Sequence, residues 1–133
     1  MPYLEKCGVM IALEPLGTAE TDFLTTAAET VQLIEKIGAP KQVALHLDCK
    51  AMFAEPMPIP DIIRQNKKHL AYFHVNDPNL LAPGFGDLKF EPIIEALKDI
   101  DYDGWLSLEV FEHGPGVEKM ARENIAYLKR CGA

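Results

Sequence analysis

Four short apolar runs in this 133-residue chain each end on a residue that could do chemistry: Ile11-Ala12-Leu13-Glu14, Leu45-His46-Leu47-Asp48, Tyr72-Phe73-His74 and Leu106-Ser107-Leu108-Glu109. If the four were brought together, the three carboxylates would repel one another, and burial would raise their pKa values. A divalent cation removes that conflict. Oxygen-rich ligation with one imidazole and no thiolate suits Mn²⁺, Mg²⁺ or Co²⁺ better than a closed structural zinc site. Open positions on such an ion would take two oxygens of a substrate, as Lewis-acid catalysis requires.

The surrounding elements must deliver these four groups to one place. Apolar runs near residues 8–14, 42–49, 70–77 and 104–111 read as buried strands. Between them lie segments with helical spacing. Leu24, Ala27, Ala28, Val31 and Ile34 mark one over Thr21–Gly38, with Thr21 or Asp22 as its cap. Helices are also expected near Asp61–His69, Glu91–Lys98 and Val117–Arg130. A strand-and-helix repeat of about 30 residues is the size of a crossover unit that keeps neighbouring strands parallel. The expected architecture is therefore one α/β domain over residues 1–133, four parallel strands with helices on the outer face.

In such an array, functional groups collect at the carboxyl ends of the strands. Side chains alternate, so Met10, Ala12 and Glu14 share a face, as do Ala44, His46 and Asp48; Leu70, Tyr72 and His74; and Trp105, Ser107 and Glu109. His46, Tyr72 and Ser107 fall one layer beneath the strand tips, placed to orient the ligands by hydrogen bonds. Trp105 and Tyr72 read most simply as interior filling. The Pro83-Gly84-Phe85-Gly86 loop could hold a phosphate on its backbone N–H groups.

Composition narrows the classes. A hydrophobic content of 48% with 25% charged residues is that of a folded globular chain. No apolar run approaches the ~18–20 residues of a membrane span, and the N-terminus lacks the pattern of a signal peptide. A cytoplasmic protein with no membrane partner is expected. The net charge of −7 argues against nucleic acid. Cys7, Cys49 and Cys131, an odd number without CxxC spacing, read as reduced thiols.

In order and spacing these residues resemble the sugar-phosphate isomerase/epimerases of the xylose-isomerase-like TIM-barrel superfamily. The resemblance is carried by Ala12-Leu13-Glu14-Pro15-Leu16, Glu20-Thr21, Leu47-Asp48, Phe73-His74-Val75-Asn76-Asp77, Pro83-Gly84-Phe85-Gly86-Asp87 and Tyr102-Asp103-Gly104-Trp105-Leu106-Ser107-Leu108-Glu109-Val110-Phe111. It implies Glu14, Asp48, His74 and Glu109 as metal ligands, usually for manganese. It implies Glu14 and Glu109 as the acid/base pair that moves a proton beside a carbonyl of a small sugar or sugar phosphate, through an enediolate. Glu20 becomes a substrate contact, and Lys50 and Asp77 join it as candidates. The pattern departs at Asp48-Cys49-Lys50-Ala51-Met52, where many members read Asp-Thr-x-His-Met, and at Leu80, where an arginine is common.

The resemblance covers only the second half of a barrel, starting just before its fifth strand, whereas a whole barrel takes about 250 residues. Four strands alone leave one sheet face and two edges open. A homodimer that buries the open face, as a pseudo-barrel of two halves, is the expected remedy. Two rival readings are a non-catalytic half-barrel that needs a partner and a lyase that dehydrates a keto-polyol at the same metal.

Overall fold

Strands β1 (Ile11–Leu13), β2 (Val43–Asp48), β3 (Leu70–Val75) and β4 (Leu106–Leu108) lie side by side in chain order, every neighbouring pair parallel. This is a computed structural model, and it describes residues 2–133. The helices are α1 (Pro2–Cys7), α2 (Ala27–Lys36), α3 (Cys49–Phe53), α4 (Ile59–Gln65), α5 (Glu91–Asp99) and α6 (Val117–Arg130). The fold is thus the expected α/β half-barrel of four parallel strands with helices.

Alternation along the strands builds the core. Leu45, Leu47, Phe73 and Val75 project from the sheet to one side and are fully buried. There they meet Ile34 of α2, Ile62 and Ile63 of α4, and Ile93, Ile94 and Leu97 of α5 in a single apolar cluster. The paired strands are shorter than the apolar runs suggest, and the two at the edges are only three residues long. Among the described residues, no helix is long and apolar enough to cross a membrane. Cys7, Cys49 and Cys131 are all free thiols.

Four sequence expectations are corrected. Helix α2 begins at Ala27 rather than near Thr21, because Thr26 is the better cap: its side chain accepts from Glu29 N at 3.2 Å. Glu29 in turn reaches back to the N–H of Thr25 at 2.7 Å, a near relative of the capping box. Helix α4 starts at Ile59, with Pro60 in its first turn where a missing N–H costs nothing, and it ends at Gln65. Leu70 does not share the face of Tyr72 and His74. The pairing passes from Leu45↔Leu70 directly to His46↔Tyr72, so one extra residue on β3 turns Leu70 toward the apolar cluster. Trp105 is not interior filling but 77% exposed, since it sits at the edge strand with nothing opposite.

Candidate metal centre at the strand tips

Each of the four strands ends by presenting one polar group to the open side of the sheet. On β1 that group is Glu14, immediately before Pro15, which cannot extend a hydrogen-bonded ladder. On β2 it is Asp48, on β3 His74, and just past β4 it is Glu109, whose N–H still reaches Val75 O at 3.3 Å. One donor atom from each of Glu14, Asp48, His74 and Glu109 lies within 4.8 Å of every other. From His74 Nδ1 the carboxylate oxygens stand at 3.3 Å (Glu109), 3.7 Å (Glu14) and 3.8 Å (Asp48).

These separations match ligands around a common ion rather than a hydrogen-bonded cluster. For a hard cation with bonds of about 2.1 Å, octahedral neighbours stand about 3.0 Å apart and opposite ligands about 4.2 Å apart. His74 Nδ1 is buried and has no hydrogen-bond partner. A buried polar atom left without a partner needs an explanation. A cation shared with the three carboxylates supplies one, and the donor set of one imidazole and three carboxylates fits it.

The electrostatics point the same way. The Glu14 carboxyl is pushed up to about 7 by burial first, then by the nearby charges of Asp48, Glu109 and Glu20, with Lys50 opposing. Beneath it, His46 Nδ1 lies 3.5 Å from Glu14 Oε2, and the His46 and His74 rings meet edge to face at 4.1 Å. Burial and the neighbouring His74 depress the His46 imidazole to about 4, so it is neutral near pH 7. The Tyr72 and Ser107 hydroxyls bond to one another, and the Tyr72 ring packs edge-on against both His46 and His74. All three residues expected beneath the tips therefore lie there, with His46 the one that touches a tip carboxylate.

The expected substrate contacts divide. Lys50 and Glu20 form an ion pair at 2.8 Å, and the Lys50 ammonium also sits 4.7 Å from the centre of the Phe111 ring. Asp77 is different: it is only 3% exposed and committed to the loop that follows. Its Oδ1 accepts from Asn79 N at 3.2 Å and its Oδ2 from Leu88 N at 3.1 Å. A Cβ on Gly86 would lie 2.1 Å from Asp77 Oδ1, so the glycine is there to let the loop close over the carboxylate. Asp77 is a loop staple rather than a substrate contact, because a strand-end acid followed by a turn finds backbone N–H donors first. Gly84, with φ +90°, lies against the Tyr127 ring, so packing accounts for both loop glycines.

Two features escaped the sequence reading. Asp48 also caps α3, its Oδ1 accepting from Ala51 N at 2.9 Å. Asn76, fully buried, holds the other oxygen of Asp48 through its side-chain amide. Its place two residues after His74, on the same face of the strand, was the available signal.

A parallel sheet with an acid-and-imidazole cluster at its carboxyl ends defines the class as part of an α/β barrel with a candidate metal centre. The chain belongs to the xylose isomerase-like TIM barrel family, whose pattern matches residues 1–131. The D-psicose 3-epimerase of Enterocloster bolteae is 34% identical over 107 residues, which cover 80% of this chain and 35% of that protein. The L-ribulose 3-epimerase of Mesorhizobium japonicum is 32% identical over 107 residues, 80% of this chain and 36% of that one. A D-psicose 3-epimerase crystallised in the presence of D-fructose superposes with a TM-score of 0.89 at 27% identity, covering 98% of this chain and 52% of its own. The D-psicose 3-epimerase of Clostridium cellulolyticum H10 with D-tagatose gives a TM-score of 0.82 at 31% identity, over 96% and 50%. The chain thus spans about a third of the length of these sequence relatives and about half of the solved chains.

Proposed function

We propose that the chain is the metal-binding half of a sugar epimerase, a single domain that corresponds to the second half of a barrel. The reaction is proton transfer beside the carbonyl of a small ketose. The observation that carries this reading is the unpartnered, buried His74 Nδ1 facing three carboxylate oxygens at 3.3–3.8 Å. Glu14, Asp48, His74 and Glu109 hold the ion, with Mn²⁺ the preferred occupant. When bound, the ion supplies Lewis-acid stabilisation of the negative charge that develops on the substrate oxygens.

Glu14 and Glu109 share the chemistry. One takes the proton from the carbon beside the carbonyl, and the other returns a proton to the opposite face of the resulting enediolate, which inverts that centre. In the metal-free chain, burial and the neighbouring carboxylates raise the Glu14 pKa to about 7, and a bound cation would lower it again. Glu20 and Lys50, paired at the rim, contact substrate hydroxyls; His46 keeps Glu14 in place from beneath. The three free thiols suit a reducing cytoplasm.

The partner is a second copy. Edge strands β1 and β4 are equally short and unpaired on their outer sides, and Met10, Ile11, Trp105 and Leu108 stand exposed along them. A two-fold axis along the barrel axis sets β4 of one protomer against β1 of the other and closes eight parallel strands. Light scattering is expected to give a mass of two chains, and a monodisperse monomer rules the closure out.

The decisive experiment is metal analysis followed by incubation with D-psicose, L-ribulose and other ketoses in deuterated water. Bound metal with deuterium entering the carbon beside the carbonyl supports the epimerase. Loss of water from the sugar assigns the dehydratase instead. Ala51 and Leu80, standing where many members carry histidine and arginine, favour one further reading, a non-catalytic half-barrel. Metal uptake without exchange in the assembled protein is its signature.

A further inference from the structure

Asn76 is fully buried, and both ends of its side chain are spent on the junction between β2 and α3. Its Oδ1 accepts from the backbone N–H of Lys50 at 2.8 Å, and its Nδ2 donates to Asp48 Oδ2 at 2.5 Å. Chemistry fixes this orientation of the amide. The Lys50 N–H can only donate and an ionised carboxylate can only accept, so a flipped amide would lose both bonds.

Asp48 is thereby held at both oxygens. Oδ1 is turned into the first turn of α3, where Ala51 N–H binds it at 2.9 Å. Oδ2 takes the Asn76 amide from one side and faces His74 Nδ1, at 3.8 Å, on the other. Glu14 and Glu109 are placed differently. Their side chains are 27% and 36% exposed, and the imidazole nitrogens near them stand at 3.3–3.7 Å, outside good hydrogen-bond range.

We infer that Asn76 is a positioning residue that makes Asp48 a rigid, single-oxygen anchor of the metal centre, leaving Glu14 and Glu109 as the adjustable ligands. This rests on the metal-binding reading above. It divides the labour at the site: the anchor comes from the buried central strands, and the two carboxylates that must accept and release protons come from the edges. Partners that orient a metal ligand commonly contribute 10–100-fold to affinity.

The test is Mn²⁺ titration of the metal-free full chain, followed by electron paramagnetic resonance. The free-ion signal gives the affinity, and the bound spectrum reports the ligand geometry. Asn76→Asp is the informative variant, because it keeps an acceptor for the Lys50 N–H but sets an acidic oxygen against Asp48 Oδ2. Affinity is expected to fall by about 10–100-fold with an altered bound spectrum. Asn76→Ala, checked for folding by circular dichroism, is expected to lose affinity in the same direction and serves if the first variant fails to fold. A folded variant of either kind that matches wild type in affinity and spectrum overturns the assignment, even if its melting temperature drops, because Asn76 is then structural only. A wild-type chain that takes up no Mn²⁺ overturns the metal reading itself, and the assignment with it.

Discussion

The central strands and the edge strands of this sheet are built to different standards. β2 and β3 are six residues each, paired on both sides, with side chains such as Leu45, Leu47, Phe73 and Val75 wholly excluded from solvent. β1 and β4 are three residues each and paired on one side only. The three tip carboxylates divide along the same line: Asp48 is buried at the end of a central strand, while Glu14 and Glu109 are partly exposed at the edges; His74, on central β3, is intermediate. Packing is thus concentrated around Asp48. At the partly exposed Glu14 and Glu109 the support is looser.

The contrast is broken most directly by removing side chains from each region. Phe73→Ala is expected to cost about 3–5 kcal/mol in urea unfolding, since it opens a cavity in a fully buried site. Ile11→Ala, at a position 41% exposed, is expected to cost about 1 kcal/mol or less. If the edges close against a second copy, the Ile11→Ala difference grows with protein concentration, whereas the Phe73→Ala difference does not. Equal costs at the two sites would show that the edges are as well packed as the centre.

The ion is expected to join the two regions. Mn²⁺ at about 100 times its dissociation constant should stabilise the chain by about 2.7 kcal/mol, read as a shift in the urea midpoint. Glu109→Gln should remove most of that gain while changing metal-free stability little, because its side chain is 36% exposed. A gain that survives Glu109→Gln would mean that the ion is held by the central strands alone.

Much of this was legible in the chain because period and order are local signals. Apolar runs alternating with helical spacing gave the parallel array, and a polar residue closing each run marked Glu14, Asp48, His74 and Glu109. Errors arose where a residue serves an element that spacing does not reveal. Asp77 reads as a candidate substrate contact, yet the N–H groups of Asn79 and Leu88 claim its two oxygens. The five-residue helix α3 is too short to show a helical period, and its cap, Asp48, also reads as a ligand. At Leu70 one inserted residue reverses the alternation that would place it beside Tyr72 and His74. Trp105 reads as interior filling, but four strands enclose no interior there and it is exposed. Asn76 carried the right spacing, but a neutral amide gives no hint of the carboxylate that it holds until β2 and β3 are paired.

The smallest expected effect is a cancellation at the base of the site. In the metal-free chain, Glu14 titrates near 7 when folded and near 4.5 when unfolded, so between those values the folded state holds a proton that the unfolded state has lost. Its contribution to stability is complete below pH 4.5 and is lost as the pH rises through 7. His46 has the opposite sign. Its pKa is about 4 when folded and 6.5 when unfolded, so its contribution is complete above pH 6.5 and is lost as the pH falls through 4. From pH 4.5 to 6.5 the two slopes oppose, and the urea midpoint of the metal-free chain should stay nearly flat so far as this pair governs it. Substitution should expose each slope in turn. His46→Gln should leave stability falling as the pH rises from 4.5 to 7, and Glu14→Gln should leave it rising from 4 to 6.5. If both variants keep the wild-type profile, the burial of Glu14 and His46 is not what sets the acid response at the base of the site.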